Sequence, residues 1–356
     1  MANTYHSKLN KRYAAKLRVL EGQLPYFCTQ YFNSKSLIFE KQTAFAYATD
    51  LRIFFTFLRD YLPELSDKDI KDIPVSILDE LSEDDLKAYT SFLDDNRENG
   101  ENGIQRKLSS VKSLCKYLIK KELINRNPID LIDMPKIHRK PIITLSDNEI
   151  DKLFNVIEHE TGMTDYQTKH NKKCVSRDYA IMMLFLGTGM RISELVGVDT
   201  TDINFEENTI RIVRKGGNEQ ILYFDEQVGD ALTRYLGIGK YKGYPYTRAS
   251  FEPDDNEKAL FLSRRKTRLS VRGIQCLIEK YSKLAFGKPE YGNKIHAHLF
   301  RKTYGTGLYL DEGDIKLVAD TLGHSSISTT AKHYVVSDEE HKRKAARKVL
   351  KNRKII

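Results

Sequence analysis

Across residues 44–62, apolar and aromatic side chains return every three or four positions, at Ala44, Tyr47, Leu51, Phe54, Phe55, Leu58 and Leu62. That spacing predicts a helix with one buried face. A second helix is predicted over 81–93. A third, over 104–119, sets Leu108, Val111, Leu114, Cys115 and Leu118 against a row of Lys112, Lys116 and Lys120 on the opposite side. Asn127 and Pro128 end this helical region, and a short basic segment bracketed by Pro135 and Pro141 reads as a linker. Ser146 with Glu149 then forms a capping box ahead of Ile150, Leu153 and Ile157. Beyond it the period changes. A nearly continuous apolar helix over 179–186 is stopped by Gly187, Thr188 and Gly189, and another helix follows over 191–196. Strands over 209–213 and 220–224 flank a hairpin tip at Lys215, Gly216, Gly217 and Asn218. A further strand is expected over 259–262, and helices over 271–284, 297–309, 315–322 and around 329–334. The Tyr-rich stretch 240–256 reads as a loop insertion. The predicted fold class is mainly α with a small antiparallel β-sheet, arranged as a helical domain over 1–134, a linker over 135–145 and a mixed domain over 146–356.

A chain of 356 residues exceeds one compact core, which agrees with two domains. A net charge of +9 and a pI near 9.1 favour a polyanionic partner, nucleic acid first. The charge is uneven: 64–95 is acidic, whereas 112–121, 136–140 and 342–354 are basic. Cys28, Cys115, Cys174 and Cys276 are far apart with no CxxC pair, so reduced thiols are expected, with no zinc site and no disulfide framework. With a polar, basic start and no long apolar run, a soluble, cytoplasmic, nucleoid-associated protein is expected, with no membrane contact.

Candidate chemistry lies in the second half, in the order Arg191, Lys215, His298, Arg301, His324, Tyr334. Two guanidinium forks can hold the non-bridging oxygens of a phosphate as charge develops on them. A phenol beside such cations can attack phosphorus, and a lysine can protonate the leaving oxygen. Carboxylates show no metal-ligand spacing near these residues, so no metal and no cofactor is expected. Singly the signals are weak. With nine histidines an HxxR arises by chance, Arg191 reads equally as a surface partner of Glu194, Tyr334 as a core tyrosine, and the lysine row as a solvated face. His296 is a decoy, because it lacks the i, i+3 relation to Arg301. Glu194 and Asp202 are expected to orient the arginines.

Order and context carry the weight, and here the sequence resembles the tyrosine recombinase (phage integrase) family over nearly its whole length. The first motif resembles Thr188, Gly189, Met190, Arg191, Ile192, Ser193, Glu194 and Leu195; the hairpin lysine matches Lys215, the HxxR His298 and Arg301, the LGH Leu322, Gly323 and His324, and the nucleophile Tyr334. Tyr47, Asp50, Leu51, Phe54 and Phe55, with Lys107, Leu108, Val111 and Lys112, are similar to the family's core-binding domain. Two positions depart from the pattern: Lys302 follows the HxxR arginine where histidine is common, and Arg214 precedes Lys215 where glycine is usual.

The resemblance implies a two-domain, C-shaped clamp on duplex DNA, with four protomers exchanging strands on two sites. In it Tyr334 is the nucleophile forming a 3′-phosphotyrosyl bond, with Tyr309 or Tyr304 as fallback. His298 is the proton acceptor, Lys215 the general acid, and His324 a donor to a non-bridging oxygen. Lys107, Lys112, Lys116, Lys120, Arg139 and Lys140 are the expected DNA-binding residues. The tail residues Val349, Leu350, Ile355 and Ile356 are expected to dock on a neighbouring subunit, against the alternative of a cationic tail touching DNA nonspecifically. Within the family the chain looks most like the Xer group, in its lone-recombinase form, which implies chromosome-dimer resolution before cell division and a septal DNA translocase as partner. The alternatives are a mobile-element integrase or excisionase, a type IB topoisomerase-like relaxase, and a noncatalytic DNA-binding protein.

Overall fold

The computed structural model describes residues 4–95, 100–136, 143–214, 217–254, 256–287, 295–323, 326–327 and 330–331. Contacts divide the chain into two compact units, Met1–Arg139 and Lys140–Ile356.

The first unit is helical throughout its described residues: α1 (Thr4–Glu21), α2 (Tyr26–Ser34), α3 (Lys41–Tyr61), α4 (Ile77–Glu80), α5 (Glu83–Asp95) and α6 (Glu101–Lys120), with short 3₁₀ turns between and after them. The three predicted helices are α3, α5 and α6. Leu51, Phe54, Phe55 and Leu58 of α3 are buried, as the period required, and Phe54 meets Tyr89 of α5 edge to face at 5.0 Å. The polar opening stretch adds two helices that the apolar period did not mark. Leu17 and Leu20 of α1 are buried in a helix lying along α3, and Phe27, Cys28, Tyr31 and Phe32 of α2 join the same core. Tyr31 reaches Ser113 of α6 at 2.7 Å. The residues ahead of the core-binding helices are therefore part of this unit's core.

The second unit contains α7 (Asp147–His159), α8 (Asp165–Asn171), α9 (Val175–Thr188), α10 (Ile192–Gly197), β1 (Ile203–Asn204), β2 (Thr209–Val213), β3 (Glu219–Tyr223), α11 (Glu226–Leu236), α12 (Val271–Phe286), α13 (Ala297–Glu312) and α14 (Ile315–Leu322). Ser146 caps α7 as expected, its N–H and hydroxyl donating to Glu149 at 2.9 and 2.8 Å. Helix α9 is the centre of the unit, packing on α7, α11 and α13. Its Ala180, Ile181, Met182, Leu184 and Phe185 are buried, which explains the nearly unbroken apolar run. The sheet is antiparallel in the order β1, β2, β3, with Ile210 opposite Leu222 and Ile212 opposite Gln220. Ile210 and Ile212 face the core and Arg211 faces out.

One expected strand does not form. Ala259, Leu260, Phe261 and Leu262 are buried, but the stretch makes only isolated bridges, Asp199 with Ala259 and Leu262 with Arg268. A continuous apolar run of this length marks burial and does not by itself specify a ladder. The helix expected around 329–334 falls mostly outside the described residues. Among the described residues, no helix is long and apolar enough to cross a membrane.

Candidate active site

Arg191, His298 and Arg301 are among the described residues; Lys215, His324, Tyr334, Arg139 and Lys140 lie outside them. The turn between α9 and α10 presents the first. Gly189 ends α9 in the left-handed region at φ +61°, its N–H closing on the Phe185 carbonyl at 3.0 Å, and a Cβ there would lie 2.4 Å from the Tyr304 ring. Arg191 then stands at the N-cap of α10. Its backbone N–H and its Nη1 both donate to the carboxylate of Glu194, at 2.7 and 2.8 Å. Glu194 is only 3% exposed, so this is no solvated surface pair: a buried anion aims a guanidinium that is itself 37% exposed. Asp202 does something else, pairing with Arg211 at 2.5 Å and accepting from the Asp199 N–H.

Helix α13 carries His298 and, one turn on, Arg301. Phe300 stacks on Phe185 of α9, with centroids 5.9 Å apart and planes 14° apart, and this contact fixes the rotation of α13. Arg301 is turned inward and buried at 2% exposure. Its Nη1 donates to the Gly189 carbonyl at 2.7 Å and its Nη2 to the Leu322 carbonyl. His298 is on the exposed side of α13, its ring 6.4 Å from that of His296, which lies just before the helix.

The partner that unites the two arginines is the end of α14. This helix begins at Asp314, whose carboxylate accepts from the Lys316 N–H at 2.8 Å, and ends at Gly323 in the left-handed region at φ +60°. Its last carbonyls lack helical donors and carry the negative end of the dipole. Arg301 takes the Leu322 carbonyl, Arg191 Nη2 lies 3.5 Å from that of Gly323, and a third guanidinium, Arg214, takes those of Leu322 and Thr321. Sequence reasoning missed Arg214 as a site residue. Its partners are main-chain oxygens about a hundred positions away, which no side-chain pattern encodes; the one available signal was the arginine standing where glycine is usual. Three guanidiniums around the end of α14, with Arg191 paired to the buried Glu194 and open to solvent, can bind a dianionic or developing phosphate charge. Among the described residues no cluster of histidine, cysteine and carboxylate side chains is suited to a metal ion.

Tyr304 is poorly suited to act as a nucleophile, because its ring packs on Gly189 and burial raises the pKa of its phenol. On α6, Lys116 and Lys120 are exposed and Lys112 pairs with Asp130 at 2.6 Å. Lys107 departs from the expectation of a DNA-facing lysine: it is buried at 6% exposure, close enough to the buried Asp50 carboxylate to stabilise its charge.

Residues 144–341 match the Phage integrase family. The chain belongs to this family of tyrosine recombinases. It is 33% identical over 330 residues to the tyrosine recombinase XerC of Caldanaerobacter subterraneus subsp. tengcongensis, covering 90% of this chain and 84% of the relative. It is 29% identical over 306 residues to the XerC of Leptospira interrogans, covering 85% and 86%. Its fold is similar to that of the XerH site-specific recombinase on a palindromic difH substrate (TM-score 0.62, 20% identity, covering 90% of this chain and 82% of that one). The Tn1549 transposon integrase with circular-intermediate DNA is similar too, at TM-score 0.61 and 20% identity over 90% and 98% of the two chains. This recombinase is thus an Xer-type enzyme that cleaves and rejoins DNA site-specifically.

Proposed function

We propose that this recombinase resolves chromosome dimers, acting as a tetramer on two copies of one duplex site, with a septal DNA translocase as its activating partner. The observation that carries the reading is the convergence of Arg191 and Arg301 on the end of α14, one residue before His324. In the reaction the phenolate of Tyr334 attacks the scissile phosphorus, its proton passing to His298. Arg191, aimed by Glu194, stabilises the non-bridging oxygens. Arg301 holds the α9–α10 turn and the α14 end at the spacing that the phosphate requires, and His324 adds a hydrogen bond. Lys215 protonates the departing 5′ oxygen, so the P–O5′ bond is exchanged for a P–O(Tyr) bond of similar energy and no nucleotide cofactor is needed. Residues 1–134 grip the duplex, with Lys112, Lys116, Lys120, Arg139 and Lys140 on phosphates, in the cytoplasm at the nucleoid.

The Xer names of the relatives favour the chromosomal role over the mobile-element one. The test is to trap covalent complexes in cells and sequence the attached DNA. A single inverted-repeat site near the replication terminus is expected; sites at the ends of a mobile element would replace the chromosomal role, and scattered sites would indicate a relaxase.

A further inference from the structure

Arg214 stands at the neck of the β2–β3 hairpin, directly before Lys215. Its main chain closes that neck: the Arg214 N–H donates to Asn218 O at 2.7 Å, and Gly217 N–H donates to Arg214 O at 3.0 Å. The side chain does not extend into solvent like that of Arg211 three residues earlier. It is half-buried, and its fork is committed to the end of α14, Nη2 to the Thr321 carbonyl at 2.7 Å and Nη1 to the Leu322 carbonyl. Gly323 makes room for it, since a Cβ there would lie 1.7 Å from Nη1. The location disfavours a cation, because burial lowers the pKa of the guanidinium, with Glu194 opposing and Arg191 reinforcing that fall. A costly charge held by two main-chain oxygens is a rigid strut between two segments, each of which leads within two residues to a proposed catalytic group.

We infer that Arg214 is a positioning residue for the leaving-group proton transfer: it locks the hairpin neck to the α14 end, so that Lys215 meets the departing 5′ oxygen of a phosphate held at the arginine cluster. The inference rests on the assignment of Lys215 as general acid. In the step concerned, the Tyr334 Oη–P bond forms and the P–O5′ bond breaks. The proton moves from the Lys215 ammonium to O5′, leaving a neutral amine and a 5′ hydroxyl.

The test uses the full chain and nicked duplexes carrying the site recovered by adduct sequencing, with either oxygen or sulfur at the 5′ bridging position. A thiol ionises near pKa 8.5, far more readily than an alcohol, so the sulfur leaves without a proton donor. Arg214→Ala is expected to slow adduct formation on the oxygen duplex by about 100-fold, the order of loss from a 1 Å misplacement, and to approach the wild-type rate on the sulfur duplex. Arg214→Lys, whose single ammonium cannot span both carbonyls, should fall between, with the same rescue. Gly323→Ala, which displaces the fork while leaving Arg214 in place, should reproduce the pattern. Equal losses on the two duplexes, or no loss on either, would overturn the inference. Lys215→Ala separates the two layers. If sulfur rescues Lys215→Ala but not Arg214→Ala, only the strut is wrong; if it rescues neither, the acid assignment falls as well.

Discussion

The basic residues of α6 and those around the end of α14 have similar chemistry in opposite settings. On α6, Lys116 and Lys120 are exposed, Lys112 pairs with the carboxylate of Asp130, and the charges follow the helical period. At the end of α14, three arginines from separate parts of the second unit converge on main-chain carbonyls, and one of them, Arg191, is also paired with the buried Glu194. Solvated lysines on a helix face can tune affinity through counterion release but cannot place a charge to within an ångström. Guanidiniums held by fixed carbonyls can, and charge stabilisation of a reacting phosphate needs that placement.

Five substitutions sharpen this contrast. The largest effect is expected from Arg301→Ala, which strips the Gly189 carbonyl of its guanidinium donor, leaves that of Leu322 to Arg214 alone and removes a buried charge. Adduct formation should be lost and unfolding free energy should drop by about 3 kcal/mol, read by denaturant titration. Next comes Arg191→Ala, expected to cost about 3 to 4 kcal/mol of transition-state stabilisation in single-turnover cleavage while site affinity changes little. Normal cleavage would show that Arg191 serves only to pair Glu194. The smallest effects belong to α6. Lys116→Ala and Lys120→Ala should each flatten the salt dependence of DNA binding by about one unit of slope, whereas Lys112→Ala, already paired with Asp130, should do less. Equal slopes for all three would return the row to an ordinary solvated face.

How much could be read from the sequence follows the same division. The helical period exposed α3, α5, α6 and α14, and the Ser146–Glu149 spacing gave the start of α7, because local chemistry decides those features. Helices α1 and α2 were not legible. The few apolar residues of α1 are spaced among many charges, α2 is uncharged but only nine residues long, and it is packing against α3 and α6 that fixes them. Lys107 was misread although the signal was there: it precedes Val111, Leu114 and Leu118 at the spacing of one helical face, so a lysine at that position is buried with its neighbours. Arg191 and Arg301 were legible through motif order, whereas the carbonyls that hold them, and Arg214 with them, depend on long-range packing.

Asp50 offers a pH test in the first unit. Burial raises its carboxyl pKa, against the pull of Arg106 and Lys107. A folded-state pKa above the unfolded value means that its contribution to stability is present at low pH and is lost as pH rises through the folded value. The stability cost of Asp50→Asn should therefore shrink as pH rises above about 4, the ordinary carboxyl value.

The most direct measurement is mass spectrometry of the peptide left on a nicked duplex after proteolysis of the trapped complex, for the wild type and for Tyr334→Phe in the presence of chelator. The account predicts a 3′-phosphotyrosyl link at Tyr334 in the wild type and no adduct with Tyr334→Phe, which still binds the duplex. A link through serine or through another tyrosine, or an adduct that persists in Tyr334→Phe, would contradict it.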